Sequence, residues 1–191
     1  LYMMDYGAPI GFRLATKHPD KIQALIIQNG NAYNEGLSPF WNKMKEYWKE
    51  PKKESNIHFI KEILTPDSIK SQYTDGVRDI SNISPDNWIA DLQRLNQKGN
   101  ESIQMELLHS YKTNIPLYDD WQAYMRKQQP PTLVVWGKND NIFTVAGANA
   151  FKKDLKNVEV HLLNTGHFAL EEDCDLIATL IDEFLVKNHI K

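Results

Sequence analysis

Four short apolar runs limit what this chain can fold into: LYMM (1–4), ALIIQN (24–29), TLVVWG (132–137) and VEVHLL (158–163). Each is bounded by turn residues and is too short for a helix. The first three are apolar over consecutive residues, as expected for strands covered on both faces, which is the habit of a parallel sheet. Parallel strands need crossover helices, and the sequence predicts them over Pro9–Lys17, Val145–Leu155 and Asp175–Asn188. The last carries a helical stripe of Leu176, Ile177, Leu180, Ile181, Phe184 and Leu185. The pattern is α/β.

Between the second and third runs lies a segment of another kind, Asn31 to Gln129. It reads as a series of short helices, with start signals at Thr65-Pro66, Ser84-Pro85 and Asn100. Four tryptophans (Trp41, Trp48, Trp88 and Trp121) fall within it. A connection of that length is too long for a loop, so an inserted helical subdomain is expected. The chain divides into residues 1–30, 31–129 and 130–191, the outer two parts sharing one sheet. Aromatic helices set above the carboxyl ends of parallel strands would cover the usual ligand crevice.

Bulk properties exclude several functions. A net charge of −3 gives no footprint for nucleic acid or an anionic membrane. No apolar run is long enough to span a bilayer. The single cysteine, Cys174, cannot form an internal disulfide and fits a reducing, cytoplasmic setting. No Cys/His cluster has the spacing of a metal site.

Three strand ends carry unusual residues. Asp5 follows LYMM in a very tight turn before Tyr6 and Gly7, Asp140 ends VVWGKND, and His167 follows Gly166 in LLNTGHFALEED. Singly, each has a dull explanation, such as turn chemistry for Asp140 or packing for His167. Together they place a carboxylate, a second carboxylate and a histidine on one edge of a parallel sheet.

MMDYGAPIGFRLATKHPDKI, PTLVVWGKND and LLNTGHFALEED resemble the nucleophile elbow, acid loop and histidine loop of the α/β-hydrolase fold, in that family's chain order. The resemblance spans the whole chain, with residues 31–129 matching the family's helical cap. Aspartate at the elbow resembles the epoxide hydrolase and haloalkane dehalogenase branch. It implies Asp5 as nucleophile, His167 as base, Asp140 as its orienting acid and the Tyr6 backbone N–H as an oxyanion donor. No cofactor or metal is implied; the expected partners are a small apolar electrophile and water. Two departures stand out. Met3 occupies a position that is usually small, and the family's His-Gly oxyanion loop has no counterpart after Leu1. The chain therefore reads as the C-terminal part of a longer enzyme, expected to be poorly soluble and inactive alone.

A carboxylate nucleophile suits a saturated carbon, since attack on an acyl group would give an anhydride. Epoxide opening needs phenolic donors for the alkoxide, and the resemblance implies two cap tyrosines. Tyr111, 29 residues before Asp140, matches one, and Tyr47 is the nearest candidate for the other. Dehalogenation would instead need indole N–H groups around the halide. Trp48 is the available candidate, while Tyr6 stands where that branch places a tryptophan. The expectations are epoxide hydrolysis first and dehalogenation second. The third is a non-catalytic relative that binds ligands under its cap, although such a module has no need of all three of Asp5, Asp140 and His167.

Overall fold

The computed structural model describes residues 1–190. Four parallel strands form one sheet in sequence order: β1 (Tyr2–Met4), β2 (Leu25–Gln28), β3 (Thr132–Gly137) and β4 (Val158–Leu163). Met3 pairs with Ile27, and Ile27 with Val134.

Alternation along these strands builds two apolar layers. Met3, Leu25, Ile27, Val134 and Trp136 point to one face, where α1 (Gly7–Lys17) packs through Ala8, Phe12 and Ala15. Ile26, Leu133 and Val135 point to the other and meet Ile177 and Phe184 of α9 (Ala169–Lys187). Both faces of β2 and β3 are covered, which is why these two strands carry so few polar residues. β1 is an edge strand, with Tyr2 and the α1 residues Ile10 and Leu14 exposed near it. No helix among the described residues is long and apolar enough to cross a membrane.

Between β2 and β3 run α2 (Phe40–Lys49), α3 (Glu54–Ile63), α4 (Pro66–Thr74), α5 (Pro85–Leu95), α6 (Asn100–Ser110) and α7 (Tyr118–Gln128). Thr65 and Ser84 cap α4 and α5 as expected, their hydroxyls accepting from Ser68 N and Asp86 N, each with proline at the first helical position. Asn100 opens α6 without capping it; Gly99 holds the cap position at φ +90°. The last inserted helix departs from the sequence division. In α7, Trp121 stacks on Phe12 of α1 at 5.2 Å between ring centroids, so this helix joins the layer that covers the sheet.

Three further boundaries differ. α1 begins at Gly7, before Pro9. α8 (Val145–Ala150) is shorter than expected and gives way to a 3₁₀ turn over residues 151–153. α9 starts at Ala169, ahead of Asp175, because Glu171 and Glu172 suit the positive end of a helix; it kinks at Asp173 (φ −117°, ψ 31°) before the long apolar stripe.

Candidate active site

At the end of β1 the chain turns so sharply into α1 that Asp5 takes φ 42°, a left-handed conformation that costs a non-glycine residue of the order of 1 kcal/mol or more. Ala8 N donates to the Asp5 carbonyl at 3.0 Å and closes the turn. The turn lifts the Asp5 side chain off the sheet edge. Tyr6, next in line, stands before the first turn of α1, where the helix offers its N–H no carbonyl partner.

The odd residue Met3 has its accommodation in α1. A Cβ at Gly11 would lie 2.0 Å from Met3 Sδ, so the missing side chain on the helix makes room for the large one on the strand. Gly7 has open space around it and serves no such purpose.

Asp140, in the loop after β3, is buried with both oxygens saturated. Oδ1 accepts the backbone N–H groups of Ile142 at 2.6 Å and Phe143 at 3.1 Å. Oδ2 accepts His167 Nδ1 at 2.8 Å and Asn29 Nδ2 at 2.7 Å. A carboxylate can only accept, so Nδ1 carries a proton and Nε2 is the free end of the ring. That nitrogen is buried without a hydrogen-bond partner and lies 3.8 Å from Asp5 Oδ2. Burial pulls the His167 pKa down. The charge and hydrogen bond of Asp140, with Asp5 opposite, outweigh it and hold the imidazole at about 10.

The sequence does not mark Asn29 as a site residue; there it reads as the last residue of the second strand. β2 in fact ends at Gln28, and Asn29 turns away at φ 42°. Its Oδ1 accepts Gly137 N at 2.9 Å while its amide reaches Asp140. The signal was Asn29-Gly30, a turn pair where a further apolar residue would have continued the strand.

A cavity of about 540 Å³ opens over Asp5. Tyr6, Trp41, Tyr111 and Ile142 line it together with polar and charged side chains that include Gln72, Asp91 and Arg94. Tyr111 sits in a 3₁₀ turn after α6, its ring edge-on to Tyr6 at 5.4 Å and packed on Trp41 at 4.6 Å. Its hydroxyl is buried and makes no hydrogen bond, with the Tyr118 hydroxyl as a polar neighbour. Burial first, then Tyr118, Asp5 and Tyr6, push the Tyr111 phenol well above its usual range, so it stays protonated. Burial and Asp5 likewise raise Tyr6.

Two expected binding residues lie elsewhere. Tyr47 donates its hydroxyl to the Met105 carbonyl at 3.2 Å and packs on His109, which ties α2 to α6. Trp48 donates its indole N–H to the Leu108 carbonyl at 2.9 Å and stacks behind Tyr111. Neither lines the cavity, and neither has a donor left for a ligand. Trp41 does line it, but its N–H is bound to the Ile142 carbonyl at 2.9 Å.

A parallel sheet whose strand ends gather a strained turn, a buried acid and an oriented histidine beneath helices inserted before the acid strand defines a hydrolase fold. The α/β hydrolase fold family matches residues 4–173, and the chain belongs to it. The hydrolase YNR064C of Saccharomyces cerevisiae is 42% identical over 193 residues, covering 98% of this chain and 66% of the relative. This chain thus spans just under two thirds of that protein's length. Among solved structures, the 2-hydroxy-6-oxo-6-phenylhexa-2,4-dienoate hydrolase of Rhodococcus sp. strain RHA1 superposes with TM-score 0.74 at 15% identity, over 97% of this chain and 63% of that one. The haloalkane dehalogenase DatA of Agrobacterium tumefaciens superposes with TM-score 0.70 at 19% identity, over 98% and 66%. At such identities these likenesses speak for the fold alone.

Proposed function

We propose that this chain carries the reacting groups of an epoxide hydrolase that works through an ester on Asp5. The observation that carries the reading is one cavity lined by both the Asp5 carboxylate and the Tyr111 phenol, whose hydroxyl is buried, protonated and unbonded. A nucleophile and a proton donor on one cavity are what opening a three-membered ring requires.

In the first half-reaction an Asp5 oxygen attacks an epoxide carbon, the carbon–oxygen bond breaks, and the nascent alkoxide takes the proton of the Tyr111 hydroxyl, leaving a phenolate. Ester formation removes the Asp5 charge that helps hold the proton on His167. The imidazolium then gives up its proton, which restores the Tyr111 hydroxyl, and becomes the base that the second half needs. His167 Nε2 deprotonates water, the hydroxide attacks the ester carbonyl, and the Tyr6 N–H stabilises the oxyanion. Collapse returns the Asp5 carboxylate and releases a diol. Asp140, anchored by four hydrogen bonds, fixes the imidazole orientation throughout. The pocket suits a small apolar electrophile.

Dehalogenation is the less supported reading. The indole N–H groups of Trp41 and Trp48 are both committed to backbone carbonyls, which leaves no indole cradle for halide. Intact-mass measurement on His167→Ala in the full-length protein tests the proposal. Mixed with an epoxide that the wild type consumes, the variant should become heavier by one whole substrate, with the added mass mapping to Asp5. A haloalkane that yields an alkyl adduct while epoxides yield none would reverse the order of the two readings. An unmodified variant would exclude the ester.

A further inference from the structure

The segment that follows α4 lies directly on the loops that carry Asp140 and His167. A Cβ at Gly166 would stand 2.0 Å from the Asp75 carbonyl oxygen, so the inserted chain rests on the residue before His167. Gly76, at φ +80°, fits just as closely: a Cβ there would be 2.7 Å from Asn139 Cβ and 3.1 Å from Gly166 Cα. Asn139, beside Asp140, donates its side-chain amide to the Gly76 carbonyl at 2.7 Å. Beneath them, a Cβ at Gly137 would meet the Gly166 carbonyl oxygen at 1.8 Å. Strand end, histidine loop and inserted segment are therefore stacked backbone on backbone.

Arg78 ties the same segment to residues on either side of His167 in the chain. Its guanidinium forks onto Asp173, at 2.6 and 3.0 Å, and also donates to the Asn164 carbonyl at 3.0 Å. The backbone N–H groups of Arg78 and Asp79 both reach Glu172 Oε1 at 2.9 Å. Asp173 is nearly buried and sits at the kink of α9. One side chain thus bridges residues 164 and 173, which bracket His167 on both sides. Tyr73, stacked on Phe168 at 4.4 Å, adds an apolar contact from the same inserted segment.

We infer that Arg78 is a positioning residue for His167, clamping the inserted helices onto the histidine loop so that their seating sets the imidazole's place against Asp5 and Asp140. A bidentate guanidinium–carboxylate contact with a third donor on a carbonyl fixes orientation as well as distance. The clamp touches no substrate; it acts through the backbone of residues 164–168. Its role in turnover rests on the epoxide hydrolase reading, but its effect on the loop does not.

Amide hydrogen exchange on the full-length protein, resolved by peptide, separates this from general stabilisation. In Arg78→Gln, exchange over residues 164–168 should accelerate by roughly tenfold or more while β2 and β3 keep their protection. Arg78→Lys retains the charge without the fork and should recover part of the protection. With an epoxide as substrate, Arg78→Gln should lower kcat and accumulate the ester, because water activation by His167 slows while attack by Asp5 does not. Unchanged exchange over 164–168, or β3 opening in parallel with it in both variants, overturns the inference. Faster loop exchange in a protein that turns over no epoxide would uphold the clamp and sink the activity reading instead.

Discussion

Asn29 Nδ2 and His167 Nδ1 converge on the same oxygen of Asp140, at 2.7 and 2.8 Å. The acid therefore does not hang from its own loop alone: the neighbouring strand β2 holds it through Asn29, which simultaneously accepts the Gly137 N–H. Asparagine suits the place twice over, because it tolerates φ 42° and supplies both a donor and an acceptor.

Asn29→Ala should accordingly cost roughly 2–4 kcal/mol, since it strands a buried N–H, takes one bond from a buried carboxylate and keeps the strained φ. Urea unfolding measures this. A loss under about 0.5 kcal/mol, the range of ordinary surface changes, would mean that water replaces the amide without penalty.

The Met3–Gly11 contact makes a second prediction. Gly11→Ala adds helix propensity of up to about 1 kcal/mol, yet its new Cβ meets Met3 Sδ in a core with no slack. The net effect should be a destabilisation of about 1–2 kcal/mol. Met3→Ala in the same chain should relieve it, so that the double variant is more stable than the two single losses predict. Simple additivity in denaturant midpoints would show that the two positions do not crowd each other.

Much of this was legible in the sequence because β-strand ends are punctuated by chemistry. Asp5, Asp140 and His167 each follow within a few residues of a strand's end, and a parallel sheet sends all such ends to one edge. The inserted helices were less legible. Tyr47 and Trp48 lie on an amphipathic helix whose sequence says that they are buried but not against what; the partners are α6 carbonyls 58 and 60 residues away. Trp121 reads like the other tryptophans of the insertion until Phe12 is seen beneath it. Asn29 was hidden because one polar residue after an apolar run looks like a strand's end, and nothing local shows that the neighbouring strand's acid lies within reach.

The raised pKa of His167 makes stability depend on pH in a defined direction. The folded imidazole titrates near about 10, above the ordinary 6.5, so the native state holds this proton more tightly than the unfolded chain does. The resulting contribution is complete below about pH 6.5, shrinks as pH rises through the window, and is gone above about pH 10. His167→Gln has no such group. The gap in unfolding free energy between wild type and His167→Gln should therefore narrow steadily between about pH 6.5 and 10, as urea titrations at several pH values can measure. A gap constant across that window would mean that the histidine is neutral in the fold, with Asp5 and Asp140 failing to outweigh its burial.

Tyr111 separates function from stability most sharply. Its hydroxyl is buried and unbonded, so the fold gains nothing from it and bears the cost of removing a hydroxyl from water. Tyr111→Phe deletes that group and leaves the packing on Trp41 and Tyr6 intact. The variant should be as stable as the wild type or more so by about 1 kcal/mol. On the proposed reading, epoxide opening should nevertheless slow by roughly ten- to a thousandfold, because the alkoxide would lose a preorganised donor. Stopped-flow measurement of the alkylation phase beside thermal unfolding reads both quantities on one preparation. Loss of stability with an unchanged alkylation rate would assign Tyr111 to packing. A more stable protein that opens epoxides slowly would mark the hydroxyl as one kept for chemistry at the fold's expense.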